Sequence, residues 1–139
     1  MHASATASAS IERQLDLRAD PSELSTARRF ADAAAAGFGL ADQDRFDFTF
    51  AVNEAVSNAI EHGRGSPEGT IRIHVAGAAD VLVFRVEDYG TFAPKPPAVD
   101  AFPERGRGLA FMAAVVDEVD VRRGDGGTVV RLCKRRRSS

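Results

Sequence analysis

Two stretches of strict alternation lie back to back in the second half of the chain, and they constrain the fold more than any other feature. Ile71, Ile73 and Val75 alternate with Arg72 and His74, and Leu82, Phe84 and Val86 alternate with Val83, Arg85 and Glu87. Successive strand residues point to opposite faces, so each stretch reads as a strand with one apolar face. The short Gly77-Ala78-Ala79-Asp80 segment between them predicts a hairpin. An apolar sheet face must be covered, and the helical patterns elsewhere supply the cover.

Those patterns are three. Asp20-Pro21-Ser22-Glu23 offers a cap, a proline at the first helical position and a glutamate three residues after the cap; the alanine-rich helix that follows ends near Gly37 or Gly39. A second helix is expected from Asp42 to about Glu61 or His62, stopped by Gly63 and Gly65, and a third from about Gly108 to Val116. Ile11, Leu15 and Leu17 predict an edge strand, with Ile11 read as out of step. Val119 and Val121 start a fourth strand, Gly124 to Gly127 turn it, and Thr128 to Cys133 return as the fifth. The expected fold class is α/β, an α+β sandwich: a mixed, mostly antiparallel sheet of about five strands with three helices on one face. Residues 1–10 read as a flexible tail, 11–134 as one domain and 135–139 as the end of a solvated basic tail that opens at Lys134.

Composition closes off other classes. Lys and Arg number 18 against 20 Asp and Glu, a formal charge of -2, too balanced for a protein that neutralises many phosphates, so no direct nucleic-acid partner is expected. No apolar run approaches the ~20 residues of a membrane span, so no membrane partner is expected either. A single cysteine, Cys133, excludes an internal disulfide and a multi-cysteine zinc site. The cytoplasm is the expected address.

Candidate chemistry falls in three places. On the second helix, at about 100° per residue, Phe48, Val52, Ala55, Val56 and Ala59 share the core face. Glu54, Asn58 and His62 run along one border of that face, while Asn53, Ser57 and Glu61 are expected to face solvent. A carboxylate at a core edge is paired, hydrogen-bonded or used, so Glu54 and Asn58 fit either a loop-bracing role or a chemical one. Asp88 shares parity with Leu82, Phe84 and Val86, which turns it inward, and Gly90 follows it; an Asp-x-Gly alone also fits a turn cap. Glu104-Arg105-Gly106-Arg107-Gly108-Leu109 precedes a helix, where outward N–H groups favour anions, but it lacks the lysine of a P-loop and the third glycine of a dinucleotide turn. Thr128 shares a face with Val130 and Leu132, so its hydroxyl is expected to look inward. Between Asp88 and the third helix, Pro94, Pro96, Pro97 and Pro103 mark a long lid-like loop.

The order Glu54-x-x-x-Asn58, Asp88-x-Gly90, Gly106-x-Gly108-Leu109 and Gly127-Thr128 resembles the Bergerat-type ATP-binding domain shared by DNA gyrase, MutL-type repair proteins and sensor histidine kinases. More closely, residues 50–63 (FAVNEAVSNAIEHG) look like the most specific segment of the small anti-sigma factor serine kinases, and the resemblance covers about residues 10–134. It implies ATP and Mg2+ as cofactors, Asn58 as the magnesium ligand and Glu54 as the general base toward a serine or threonine hydroxyl. It further implies Asp88 and Thr128 at adenine, and Gly106, Gly108, Leu109 and Arg105 at the phosphates, with His62 and Gly90 completing the ATP-binding set. The partners implied are a sigma factor, an anti-sigma antagonist as protein substrate, and a second copy in a homodimer. Phe92 stands where many members carry a second glycine after Asp88, which motivates an alternative: a module that sequesters its partner without phosphotransfer. A histidine kinase catalytic domain ranks below both, because nothing before Ile11 can form dimerisation helices.

Overall fold

A computed structural model describes residues 10–63, 69–88, 110–124 and 127–137 of the chain, the side chains of His62 and Gly63 excepted. Strand β1 is Ile11–Arg18, helix α1 Leu24–Phe38, helix α2 Asp42–Gly63, β2 Thr70–Ala78, β3 Val81–Asp88, β4 Glu118–Gly124 and β5 Gly127–Arg135. Residues 110–115 are the described part of helix α3. The sheet order is β1-β2-β3-β5-β4.

The five-stranded, mostly antiparallel sheet is as expected, and every strand pairing among the described residues is antiparallel. Two helices rather than one separate β1 from β2, which returns the chain in the opposite sense, and β2–β3 and β4–β5 are hairpins. β1 is an edge strand, as expected. Ile11 proves to be in step with Leu15 and Leu17, all three packing on the core, and the interruption is Arg13.

Local chemistry sets the helix ends. Asp20 caps a short 3-10 turn, Pro21–Glu23, by accepting from the Ser22 amide at 3.0 Å, and α1 proper begins at Leu24. The Glu23 carboxylate accepts from the Arg18 amide, 3.4 Å away, so it ties the helix entry to the end of β1. Gly39 closes α1 with φ of +93°, the left-handed region that favours glycine.

The core lies between the inner sheet face and the helices, with Phe38, Phe48, Ile71, Ile73, Phe84, Met112 and Leu132 fully buried. Gly77 belongs to this core rather than to the turn predicted for it. β2 runs on to Ala78, Ala79 takes the positive φ of 57°, and Gly77 lies beneath the Phe38 ring, where an added Cβ would come within 2.7 Å of two ring carbons.

The basic C-terminal run is docked in part: Arg135 and Arg137 are exposed, as expected of a solvated tail, whereas Lys134 and Arg136 are held against the fold. Lys134 continues the inward parity of Val130 and Leu132 and is 3% exposed; its ammonium donates to the Val115 carbonyl at 2.7 Å and lies 3.5 Å from Asp44 and 3.8 Å from Asp47 on α2. Arg136 donates to the Phe38 and Ala79 carbonyls, each at 2.8 Å, with its guanidinium 4.6 Å from the Phe38 ring centroid. The outer sheet face carries the ion pairs Arg72–Asp16 and Arg85–Glu87 and a hydrogen bond between His74 and Glu12.

Candidate functional site

Helix α2 positions the first pair of candidate residues. Phe48, Val52, Ala55, Val56 and Ala59 are all buried, as their spacing predicts, and the Phe48 ring meets Phe84 of β3 edge-on with centroids 6.3 Å apart. That contact seats α2 over β3 and fixes its rotation. Glu54 and Asn58 then fall on the border of the buried face, both half-buried. No hydrogen bond or ion pair joins either side chain to another described residue.

The face expected to be solvated is only partly so. Asn53 and Ser57 are half-buried, and Arg28 of α1 crosses to Asn53 and donates to its side-chain oxygen at 3.0 Å. Glu61 is exposed.

The second pair lies on the sheet that α2 covers. Asp88 is the last residue of β3 and 3% exposed, so it does point inward. Thr128 stands directly opposite on β5, half-buried, and its backbone amide lies 3.4 Å from Asp88 Oδ1. The contact that joins them is thus the Thr128 N–H, a link that parity alone does not show. His62 occupies the last turn of α2 with its side chain outside the described residues, and Gly90, Arg105, Gly106, Gly108 and Leu109 also lie outside them.

The donor set fits a magnesium ion better than a caged metal. Among the described residues no group of three His, Cys, Asp or Glu side chains is placed to hold a cation. A single amide oxygen such as that of Asn58, sharing the ion with phosphate oxygens and water, is how magnesium is commonly bound. Cys133 offers no rival nucleophile: it is buried, and burial pushes its thiol above the usual range and keeps it protonated. Among the described residues no helix is long and apolar enough to cross a membrane.

Reading the strands and helices missed one group altogether. Phe46, Phe50 and Phe111 are the large apolar side chains left exposed among the described residues, and the recurrence at 46, 50, 54 and 58 is the signal that places two of them in line with Glu54 and Asn58.

An antiparallel five-stranded sheet under a long helix, with a helix-borne glutamate and asparagine above a strand that ends in a buried aspartate, defines an α/β sandwich of the ATP-binding class. Residues 17–134 match the histidine kinase-like ATPase domain, and the chain belongs to that family. It is 28% identical over 130 residues to the serine-protein kinase RsbW of Bacillus velezensis, covering 84% of this chain and 81% of the relative. The serine-protein kinase RsbW of Bacillus subtilis matches over the same shares at 28% identity. Among solved structures, the RsbU and RsbW domains of Rv1364c from Mycobacterium tuberculosis superpose with a TM-score of 0.72 at 26% identity over 90% of this chain. The chain spans about a third, 32%, of that larger protein.

Proposed function

We propose that this chain is an anti-sigma regulatory factor that works as an ATP- and magnesium-dependent serine/threonine protein kinase. In this reading it binds a sigma factor and phosphorylates an antagonist of that binding, acts in the cytoplasm and pairs with a second copy of itself. The observation that carries the reading is the half-buried Glu54–Asn58 pair, one helical turn apart on α2, above the strand that ends in buried Asp88. The similarity to serine-protein kinases along 84% of the chain supports it.

Asp88 accepts from the exocyclic amine of adenine, and Thr128 holds the carboxylate in place through its backbone amide. The Asn58 side-chain oxygen holds the magnesium ion, which when bound neutralises charge on the phosphates. Glu54 takes the proton of the substrate's serine or threonine hydroxyl. The hydroxyl oxygen bonds to the γ-phosphorus as the bond from that phosphorus to its bridging oxygen breaks, and ADP departs. A half-buried carboxylate on the border of α2 is open to a substrate hydroxyl, as a fully buried one is not.

Phe92 favours one other reading, a module that sequesters its partner without transferring phosphate. Calorimetric titration with ATP and magnesium, beside Asn58→Ala, followed by phosphotransfer with Glu54→Ala, separates the two. Saturable binding that Asn58→Ala weakens, and transfer that Glu54→Ala lowers by about 10²- to 10⁴-fold, is the expected result. Binding without transfer leaves the sequestering module, and no binding at millimolar nucleotide removes the kinase.

A further inference from the structure

The C-terminal end of α3 is held by three bonds to the end of β5. Val115 is the last helical residue, and its carbonyl finds no amide within the helix because the helix stops there. Lys134 supplies the donor: its buried ammonium lies 2.7 Å from the Val115 oxygen, and a cation suits the negative end of a helix. Two residues further on, the Asp117 amide donates to the Cys133 carbonyl at 2.9 Å, and the Asp117 carboxylate accepts from the Arg135 amide at 2.6 Å. The junction between α3 and β4 is thereby pinned to the sheet.

The same ammonium ties α3 to α2, because it also lies 3.5 Å from Asp44 and 3.8 Å from Asp47 in the first turns of that helix. Phe111 of α3 meets Phe50 of α2 edge-on with centroids 6.5 Å apart, and Met112 is fully buried. Stability alone does not account for the lysine. Replacing a buried ion pair by apolar side chains of similar volume is often neutral or stabilising, whereas the charges fix one geometry. That geometry matters for what the two helices carry. α2 bears Glu54 and Asn58, and Gly106, Gly108 and Leu109, the residues read as meeting the phosphates, lead directly into α3 in the chain. From Val115 back to Ala110 a helix spans only about 8 Å, so a displacement at its end carries through to its start.

We propose that Lys134 is a positioning residue for the phosphate side of the nucleotide site: by clamping the end of α3 to Asp44 and Asp47 it sets where α3 sits against α2. The proposal rests on the kinase reading above. Lys134 touches no substrate and acts through α3. The base side is held separately, by Asp88 and Thr128 on β3 and β5, so loosening the clamp weakens the hold on the phosphates and leaves that on adenine.

The test titrates the full chain calorimetrically with ATP and magnesium and, separately, with AMP, beside three variants whose folding is followed by thermal melting. Lys134→Met keeps the buried stem and removes the ammonium. Asp117→Ala loosens the same junction from its exposed side. Gly77→Ala strains the core, where the added Cβ meets Phe38 and Leu82 and nothing of α3, and so controls for lost stability. Lys134→Met is expected to weaken ATP binding about tenfold or more while AMP affinity stays within about twofold. Asp117→Ala is expected to weaken ATP in the same sense by a smaller factor, and Gly77→Ala to change neither nucleotide. Equal losses for ATP and AMP, an unchanged ATP affinity in Lys134→Met, or the same ATP loss in Gly77→Ala each overturns the positioning role while leaving the nucleotide site standing. If Lys134→Met does not fold, Asp117→Ala decides, and an unchanged ATP affinity there overturns the role. Absence of ATP binding in the wild type removes the kinase reading, and the positioning role falls with it.

Discussion

Thr128 and Asp88 face each other across the β3–β5 ladder, with the Thr128 amide 3.4 Å from the Asp88 carboxylate. Strand parity turns this aspartate inward at 3% exposure, and the Thr128 amide is a donor beside it. A hydrogen bond to a charged group contributes about 1.5 to 3 kcal/mol. Asp88→Asn keeps an oxygen for the Thr128 amide but removes the charge. ATP affinity by calorimetry is expected to fall about tenfold or more, with Tm changed by only a few degrees. Unchanged affinity removes Asp88 from the nucleotide site.

Lys134 anchors three elements at once, through Val115 at the end of α3 and through Asp44 and Asp47 on α2. Without Lys134, Asp44 keeps Arg137 at 3.6 Å and Asp47 keeps the Gln43 side-chain amide at 2.8 Å, so the cost is about 2 kcal/mol, below that of a wholly stranded buried charge. Lys134→Ala is expected to show that loss in urea unfolding. A change below about 0.5 kcal/mol, the size of an exposed pair, contradicts the buried cluster.

Gly77→Ala tests the close approach of β2 to α1. The new methyl group meets the Phe38 ring at 2.7 Å, and Phe38 is itself buried and held by Arg136 above it. Overpacking of this kind costs about 1 to 3 kcal/mol. Gly124→Ala, where nothing lies within 4 Å of an added Cβ, is the control and is expected to change stability far less.

The outer sheet face gives a pH dependence. The Arg72 guanidinium, hydrogen-bonded to Asp16 at 2.8 Å, holds that carboxyl below its usual range. A carboxyl lowered on folding stabilises the native state above its unfolded pKa of about 4, and that contribution disappears as pH falls through the native value. Melting curves of wild type and Asp16→Asn are therefore expected to differ slightly at pH 7 in low salt and to converge toward pH 2 and in high salt. A difference that grows as pH falls contradicts the sign.

Much of this was legible in the sequence. Strict alternation at 71–75 and 82–86 marks β2 and β3, Asp20-Pro21 and Gly39 bracket the first helix, and a helical wheel separates Val52, Ala55 and Val56 from Glu54 and Asn58. Less legible was where the polar residues at these borders find partners. Asn53 reads as solvated until Arg28, twenty-five positions earlier, is brought across it, and Lys134 and Arg136 read as a free tail until α2 and the Phe38 carbonyl come beneath them.

The sequence by itself determined the periods, the turns and the order of the elements, because these follow from the sterics and capping chemistry of neighbouring residues. Only the tertiary structure decided that the sheet is wholly antiparallel, that Gly77 lies under Phe38, that Lys134 turns inward and that Phe50 meets Phe111. Each of those outcomes depends on which distant face packs against a given residue, and burial free energy, being non-directional, is settled by the whole packed core rather than by any local pattern.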